Sequence, residues 1–303
     1  MFVNRRTYLT TVAAGAGLGV AGCLGTPAED TDNASTSVAT WSDGHIEFGL
    51  PPFQDAEELE RQYAGLFAWL EAGFDGVTVD GTQTTSYSAV IESVTAGHTE
   101  LANLSPLIYV MAADEGVTPL AVNELRGETS YHSYIATYDG SDIETLSDLA
   151  GATVAMVDPL STSGGLFPMY TLEEAGLDTG GIDGDPVDLD IEWAFGHDLA
   201  LQALENEHVD AAAFGDFIFD SPPDRIDVIA ESEPIPLAAA VTQPDTPDDV
   251  VTALRERLYA TPEEALAEHD VTGFSEYDAD EYGTVRDIAE RFGISVSDLE
   301  ADA

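Results

Sequence analysis

Three consecutive hydroxyl residues followed by two glycines, Ser161-Thr162-Ser163-Gly164-Gly165, are the part of this 303-residue chain best equipped for chemistry. They follow an apolar run, Thr153 to Val157, that reads as a strand, and they open a periodic segment, Gly164 to Gly176, that reads as a helix. A strand-to-helix junction brings hydroxyls and unpaired backbone N–H groups to one point, and the first helical turn carries roughly half a positive charge. Such a point attracts an oxyanion without any lysine or arginine. The glycines, Gly164 among them as a candidate contact, let the anion approach the backbone closely. An ordinary helix N-cap, which stabilises by about 1 kcal/mol, accounts for one hydroxyl but not for three.

Local donors matter because the rest of the chain is so acidic. Asp and Glu number 58 against nine basic residues, every one an arginine, for a formal net charge of -49. A surface of that kind suits concentrated salt, where the Debye length falls to about 3 Å and long-range repulsion of an anionic ligand disappears. The chain therefore reads as the product of a halophilic host. Nucleic-acid binding is excluded, since no segment offers the basic stripe that counterion release requires.

The amino terminus carries its own signals. Arg5-Arg6 precede an uncharged stretch from Thr7 to Gly22, which looks like a twin-arginine export signal and is too short to span a ~30 Å hydrocarbon core comfortably. Val20-Ala21-Gly22-Cys23 resembles a lipobox, making Cys23, the only cysteine, the expected site of lipidation and the first residue of the mature chain. Residues 1–22 are thus expected to be a lipoprotein signal. Residues 23–44, rich in Thr, Ser, Asp, Ala and Gly, are expected to be a flexible tether to the membrane.

From Ile46 onward short apolar runs alternate with helical periods, the pattern of an α/β protein. A first set of elements runs from strand Ile46–Leu50 to strand Thr118–Asn123 and includes helices Asp55–Gly73, Tyr87–Gly97 and Pro106–Glu115. A second begins at Tyr131–Thr137 and closes with strands Ala211–Phe214 and Ile226–Ala230. Helices are expected over Asp248–Tyr259, Pro262–His269 and Asp278–Phe292, returning to the first set. The expected fold is two-lobed, each lobe a wound, mostly parallel sheet with flanking helices. Lobe 1 would comprise 45–130 plus 239–303, and lobe 2 residues 131–238. Crossings near Glu128–Tyr131 and Pro236–Val241 would form a hinge, with the ligand in the cleft beyond the carboxyl ends of the strands.

The segment from Asp158 through Ser161-Thr162-Ser163-Gly164 to Pro168 is followed by Phe195-Gly196-His197 and Val209-Asp210-Ala211. Together these resemble the phosphate, phosphite and phosphonate substrate-binding proteins of ABC importers. Thr85-Ser86-Tyr87-Ser88 and Leu104-Ser105-Pro106-Leu107-Ile108-Tyr109 agree with that family, and the resemblance spans about Ile46 to Ala260. It implies the type II periplasmic-binding fold and delivery of a small phosphorus oxyanion to a membrane permease. It also implies that Ser161, Thr162 and Ser163 grip the phosphorus-bound oxygens, helped by the His197 ring and the Tyr87 and Tyr131 hydroxyls. Tyr109 and Asp216 are further candidates for the cleft wall.

Other readings exist for several of these residues. Lone tyrosines are usually packing residues with one polar tip, and a histidine at a helix start is usually a cap or a surface residue. Ser161 or Ser163 with His197 and Asp216 can be drawn as a hydrolase triad, although the Gly-x-Ser-x-Gly elbow is missing. A tethered anion sensor would need the same pocket. Histidine and cysteine spacing suggests no metal site, no cofactor is called for, and a monomer is expected. Aminoalkylphosphonate binders of the family are expected to place an acid just after the Ile-Pro of the second crossing. Ile235-Pro236-Leu237-Ala238 has none, which favours a simple anion unless Asp216 substitutes.

Overall fold

The computed structural model describes residues 29–50, 56–84, 86–181, 184–219 and 221–294. The expected signal, Cys23 and the start of the expected tether lie outside these residues. The first half contains α1 (Glu29–Trp41), β1 (His45–Leu50), α2 (Ala56–Gly73), β2 (Thr78–Gln83), α3 (Tyr87–Thr95), β3 (Leu101–Leu104), α4 (Pro106–Asp114) and β4 (Thr118–Glu124). The middle contains β5 (Ser130–Tyr131), β6 (Ser133–Tyr138), β7 (Thr153–Met156), α5 (Phe167–Glu174), β8 (Asp190–Trp193), α6 (His197–Glu205), β9 (Ala211–Gly215) and β10 (Ile226–Glu231). The chain then returns through β11 (Ile235–Pro236), β12 (Ala239–Thr242), α7 (Asp248–Tyr259), β13 (Gly273–Ser275) and α8 (Gly283–Arg291).

These strands form two main sheets. The larger is ordered β13-β4-β12-β3-β1-β2 and the smaller β10-β6-β9-β7-β8. Parallel pairing holds β2-β1-β3 and β9-β7-β8 together, while β12, β13, β6 and β10 pair antiparallel with their neighbours. Each sheet is therefore wound in its parallel half and closed by strands added antiparallel. The two crossings between sheets are themselves a ladder, with Ile235 opposite Tyr131 and Pro236 opposite Ser130.

The strands bury apolar side chains on both faces, as sheets covered by helices on both sides must. Ile46, Phe48, Leu101 and Ala121 pack with Leu59, Tyr63, Leu66 and Leu70 of α2 on one side of the large sheet. On its other side Ala102, Leu104 and Val122 pack with Val90 and Ile91 of α3, Leu107 and Ile108 of α4, and Val285 of α8. Leu166 and Phe167, from the start of α5, enter this second cluster, so the small sheet's helix is docked on apolar surface of the other lobe.

Two expectations need correction. Part of the expected flexible tether is helix α1, because Ala34, Val38 and Trp41 recur at helical spacing and pack beside α7, with Val38 fully buried. The expected helix over Pro262–His269 is only a short 3-10 turn, Glu263–Leu266. Beyond it Gly273–Ser275 pairs with β4 as an edge strand too brief to show alternation in the sequence. α8, expected in lobe 1, also reaches the other sheet's helix. It packs on α4, while Arg291 pairs with Glu173 and Glu174 of α5 and its ring-facing side covers Tyr170. Those ion pairs are half exposed, so they guide orientation more than they stabilise. No helix among the described residues is long and apolar enough to cross a membrane.

Candidate functional site

The hydroxyl cluster sits where β7 delivers the chain to α5. Asp158 shapes the approach, its carboxylate accepting the Leu160 N–H at 2.8 Å and its carbonyl accepting the Ser161 N–H at 2.9 Å. Residues Thr162–Leu166 then make one wide π-helical turn before the regular helix starts. Ser161 caps that turn by accepting the Gly164 N–H at 3.1 Å, so the capping role foreseen for one hydroxyl falls to this one. The Ser163 carbonyl is held by the Ser133 hydroxyl at 2.7 Å. A methyl group on Gly165 would lie 2.1 Å from the Asp158 carbonyl oxygen, and one on Gly164 2.1 Å from a Val157 methyl. The turn is thus closed in a way only glycine permits, although neither φ is left-handed.

His197 opens α6 beside this turn. Its Nδ1 accepts the Gly215 N–H at 3.0 Å, which leaves the ring proton on Nε2, 3.4 Å from Ser161 Oγ. Burial pushes the imidazole pKa down to about 3, so the ring stays neutral and Nε2 remains a donor. The ring packs edge-on to Phe217 at 4.8 Å, and Phe217 in turn meets Tyr131 at 5.5 Å. This arrangement is incompatible with the triad drawn from the sequence: a backbone amide occupies the nitrogen a catalytic aspartate would need, and Nε2 cannot accept the serine proton.

Tyr87 approaches from the start of α3 and Tyr131 from the β5–β11 ladder. Burial raises the pKa of both phenols, keeping them protonated; Tyr87 lies in hydrogen-bonding reach of Ser161, and Tyr131 of Ser163 and Thr162. Thr162 spans the gap between lobes. Its hydroxyl accepts the Leu107 N–H at 2.9 Å, capping α4 in place of Ser105, whose own hydroxyl makes no cap.

Tyr87, Tyr131, Ser161, Thr162, Ser163 and His197 all line one cavity of about 130 Å³. Three other candidates do not line it. Tyr109 packs edge-on against Tyr277 and Tyr282, at 5.4 and 4.8 Å. The Gly164 N–H is turned to Ser161, and Asp216 sits on the turn after β9, where burial raises its pKa. Sequence reasoning left open whether Ser105 touches ligand, and it does line the cavity; it left out the wall made by Asn103 and Asn123 of the larger sheet with Gln62 of α2 and with His269 and Asp270 from the turn before β13. A polar residue inside a buried strand, as Asn103 is in Leu101–Leu104, was the one available signal. Among the described residues no arginine lines the cavity, so the donors an anion meets there are neutral.

A family model described as "ABC transporter, phosphonate, periplasmic substrate-binding protein" matches residues 48–282. The chain belongs to that family. The binding protein is 32% identical over 231 residues, covering 74% of its own length and 69% of the relative's, to the phosphate-import protein PhnD of Mycolicibacterium smegmatis. Its fold is shared with PhnD1 of Prochlorococcus marinus, solved in complex with methylphosphonate (TM-score 0.70, 15% identity, 82% of this chain and 98% of that one). A binding protein component of an ABC phosphonate transporter from Pseudomonas aeruginosa superposes similarly (TM-score 0.69, 20% identity, 82% and 86%). The two-lobed type II fold expected from the sequence is therefore the fold of the binding protein, and its family is that of the periplasmic substrate-binding proteins of ABC phosphonate transporters.

Proposed function

We propose that the protein captures a small phosphorus oxyanion, phosphonate, phosphite or phosphate, outside the cytoplasm and presents it to an ABC permease without turning it over. One observation carries this reading: hydroxyls, phenols and a histidine fixed as a neutral Nε2–H donor converge on one cavity that, among the described residues, no arginine lines. Hydrogen bonds from neutral donors to a charged acceptor contribute about 1.5 to 3 kcal/mol each, and several suffice for micromolar binding or better. Ser161, Ser163 and His197 belong to lobe 2 (131–238), and Tyr87 to lobe 1 (45–130 plus 239–303). An anion held by both favours the closed arrangement, bending at the β5–β11 ladder.

A thermal-shift panel in concentrated KCl tests the reading, because a ligand at 100 times its Kd stabilises by about 2.7 kcal/mol. Phosphate, phosphite or methylphosphonate should raise the melting temperature and sulfate should not. Equal shifts with sulfate, or none with any phosphorus anion, would remove the proposal.

Export by the Arg5-Arg6 signal and anchoring through a lipidated Cys23 complete the proposed role, with a halophilic surface screened by external salt. Cell fractionation checks this part: the protein should sediment with membranes and its Cys23→Ser variant should not. Equal partitioning of the two would rule out the anchor.

A further inference from the structure

Arg126 stands in a backbone conformation that its residue type resists. It is the first tip residue of the two-residue turn after β4, with φ +54° there and +81° at Gly127, both left-handed. Glycine and asparagine suit such a turn and a long cationic side chain does not, so an arginine there calls for a reason. The turn is well held. Leu125 and Glu128 exchange backbone bonds at 2.9 and 3.0 Å, and the Gly127 N–H donates to Thr272 Oγ1 at 3.2 Å. From this base the Arg126 side chain crosses to the smaller sheet's side, where Nη2 donates to the Phe219 carbonyl at 3.1 Å. The acceptor is fixed as well, since the Phe219 ring packs against Phe214 at 5.9 Å and Tyr134 at 6.3 Å.

The accepting turn is the one that holds His197. Gly215 at its start donates its N–H to His197 Nδ1, and Phe217 packs on the His197 and Tyr131 rings. Leu125 and Phe217 both line the cavity, so the arginine joins two segments that flank it, while Arg126 itself does not line it. Burial raises the pKa of Asp216 on the same turn, and the Arg126 charge is among the groups that oppose the rise. Resting on the closed-cleft capture proposed above, we infer that Arg126 is a positioning residue for capture, a latch whose bond to the Phe219 carbonyl forms as the lobes close and keeps the 215–219 turn, and with it His197, against the bound anion. A bond made only in the closed arrangement favours that arrangement by the same increment whichever anion is inside. It acts on escape of the ligand rather than on encounter.

Arg126→Gly and Arg126→Lys test the latch in molar KCl with phosphate and methylphosphonate as ligands. Arg126→Gly relieves the left-handed backbone, so the ligand-free melting temperature should not fall. Calorimetric affinity for both anions should nevertheless drop by a common factor of about three to ten, as expected for one hydrogen bond at an exposed position. Stopped-flow mixing should place that loss in the release rate and leave association unchanged. Arg126→Lys keeps the charge and a donor, and should recover part of the affinity. Unchanged affinity in Arg126→Gly would overturn the latch and leave the anion site standing. A loss confined to one anion, or one that accompanies a lower ligand-free melting temperature, would overturn it equally, by showing direct contact or a role in folding. Failure of both anions to bind the unaltered protein would overturn the latch and the anion reading together.

Discussion

Replacing Ser161 and Ser163 together by alanine is expected to weaken binding of the phosphorus anion by about two to four orders of magnitude. Two charge-assisted hydrogen bonds at roughly 1.5 to 3 kcal/mol each make up that range. The fold should survive, because the variant removes one cap, worth about 1 kcal/mol, and no apolar contact. The turn itself is held by bonds the substitution leaves alone: the Ser133 hydroxyl on the Ser163 carbonyl, and the Ser161 carbonyl accepting the Gly165 and Leu166 N–H groups at 3.0 and 2.9 Å. Thr162 is left in place because its hydroxyl caps α4 across the cleft, so its loss would mix ligand contact with lobe closure. Calorimetry of the double variant beside a melting curve separates the two causes. Unchanged affinity in a folded double variant would show that these hydroxyls do not hold the ligand.

A second large effect is expected in acid. His197 has its pKa lowered by burial to about 3 in the folded protein, against 6.5 for an ordinary histidine. Below pH 6.5 the unfolded chain takes up a proton that the folded chain refuses until about pH 3. The stability contributed by keeping this ring neutral is therefore full above pH 6.5 and is lost as pH falls through that window, by about 1.4 kcal/mol per unit. His269 acts in the same direction, its pKa lowered by burial to about 4, with less weight because it is partly exposed. Asp158, Asp198 and Asp216, whose pKa values burial raises, act the opposite way and bind protons in the folded state. The clean measurement is consequently a difference. Denaturant stability of the unaltered protein should fall more steeply between pH 6 and 4 than that of His197→Gln, by about 1.4 kcal/mol per pH unit. Parallel slopes would contradict a histidine held neutral by burial. Above pH 6.5 the ring does not titrate, so any pH dependence of anion affinity there comes from the ligand or from other groups.

Much of the framework was legible beforehand because it depends on local periodicity. The strand at Thr153–Met156, the glycines at 164 and 165 and the helix after them are neighbours in sequence, so the hydroxyl cradle could be placed at a strand-to-helix junction without knowing the rest. Helices α2, α3, α4, α6 and α7 likewise start and stop close to where their apolar spacing indicates. Short or weakly patterned pieces were not legible. α1 reads as a polar linker until Val38 and Trp41 are seen against α7, and β13 has three residues, too few to show alternation. Tyr109 resembled a cleft residue because it lies in the first turn of α4, yet the helix turns its ring toward Tyr277 and Tyr282.

The amino-acid sequence by itself determined the α/β architecture, the family and the chemical nature of the donor end, since these follow from spacing and residue type within short stretches. Tertiary structure alone decided which nitrogen of His197 bears the proton, that Thr162 caps a helix 55 residues away, and that Asn103, Asn123 and Asp270 line the same cavity as Ser161. The physical reason is the same in each case. A hydrogen bond is set by distance and direction between atoms, and when the partners lie on different sheets those quantities exist only after the sheets have packed.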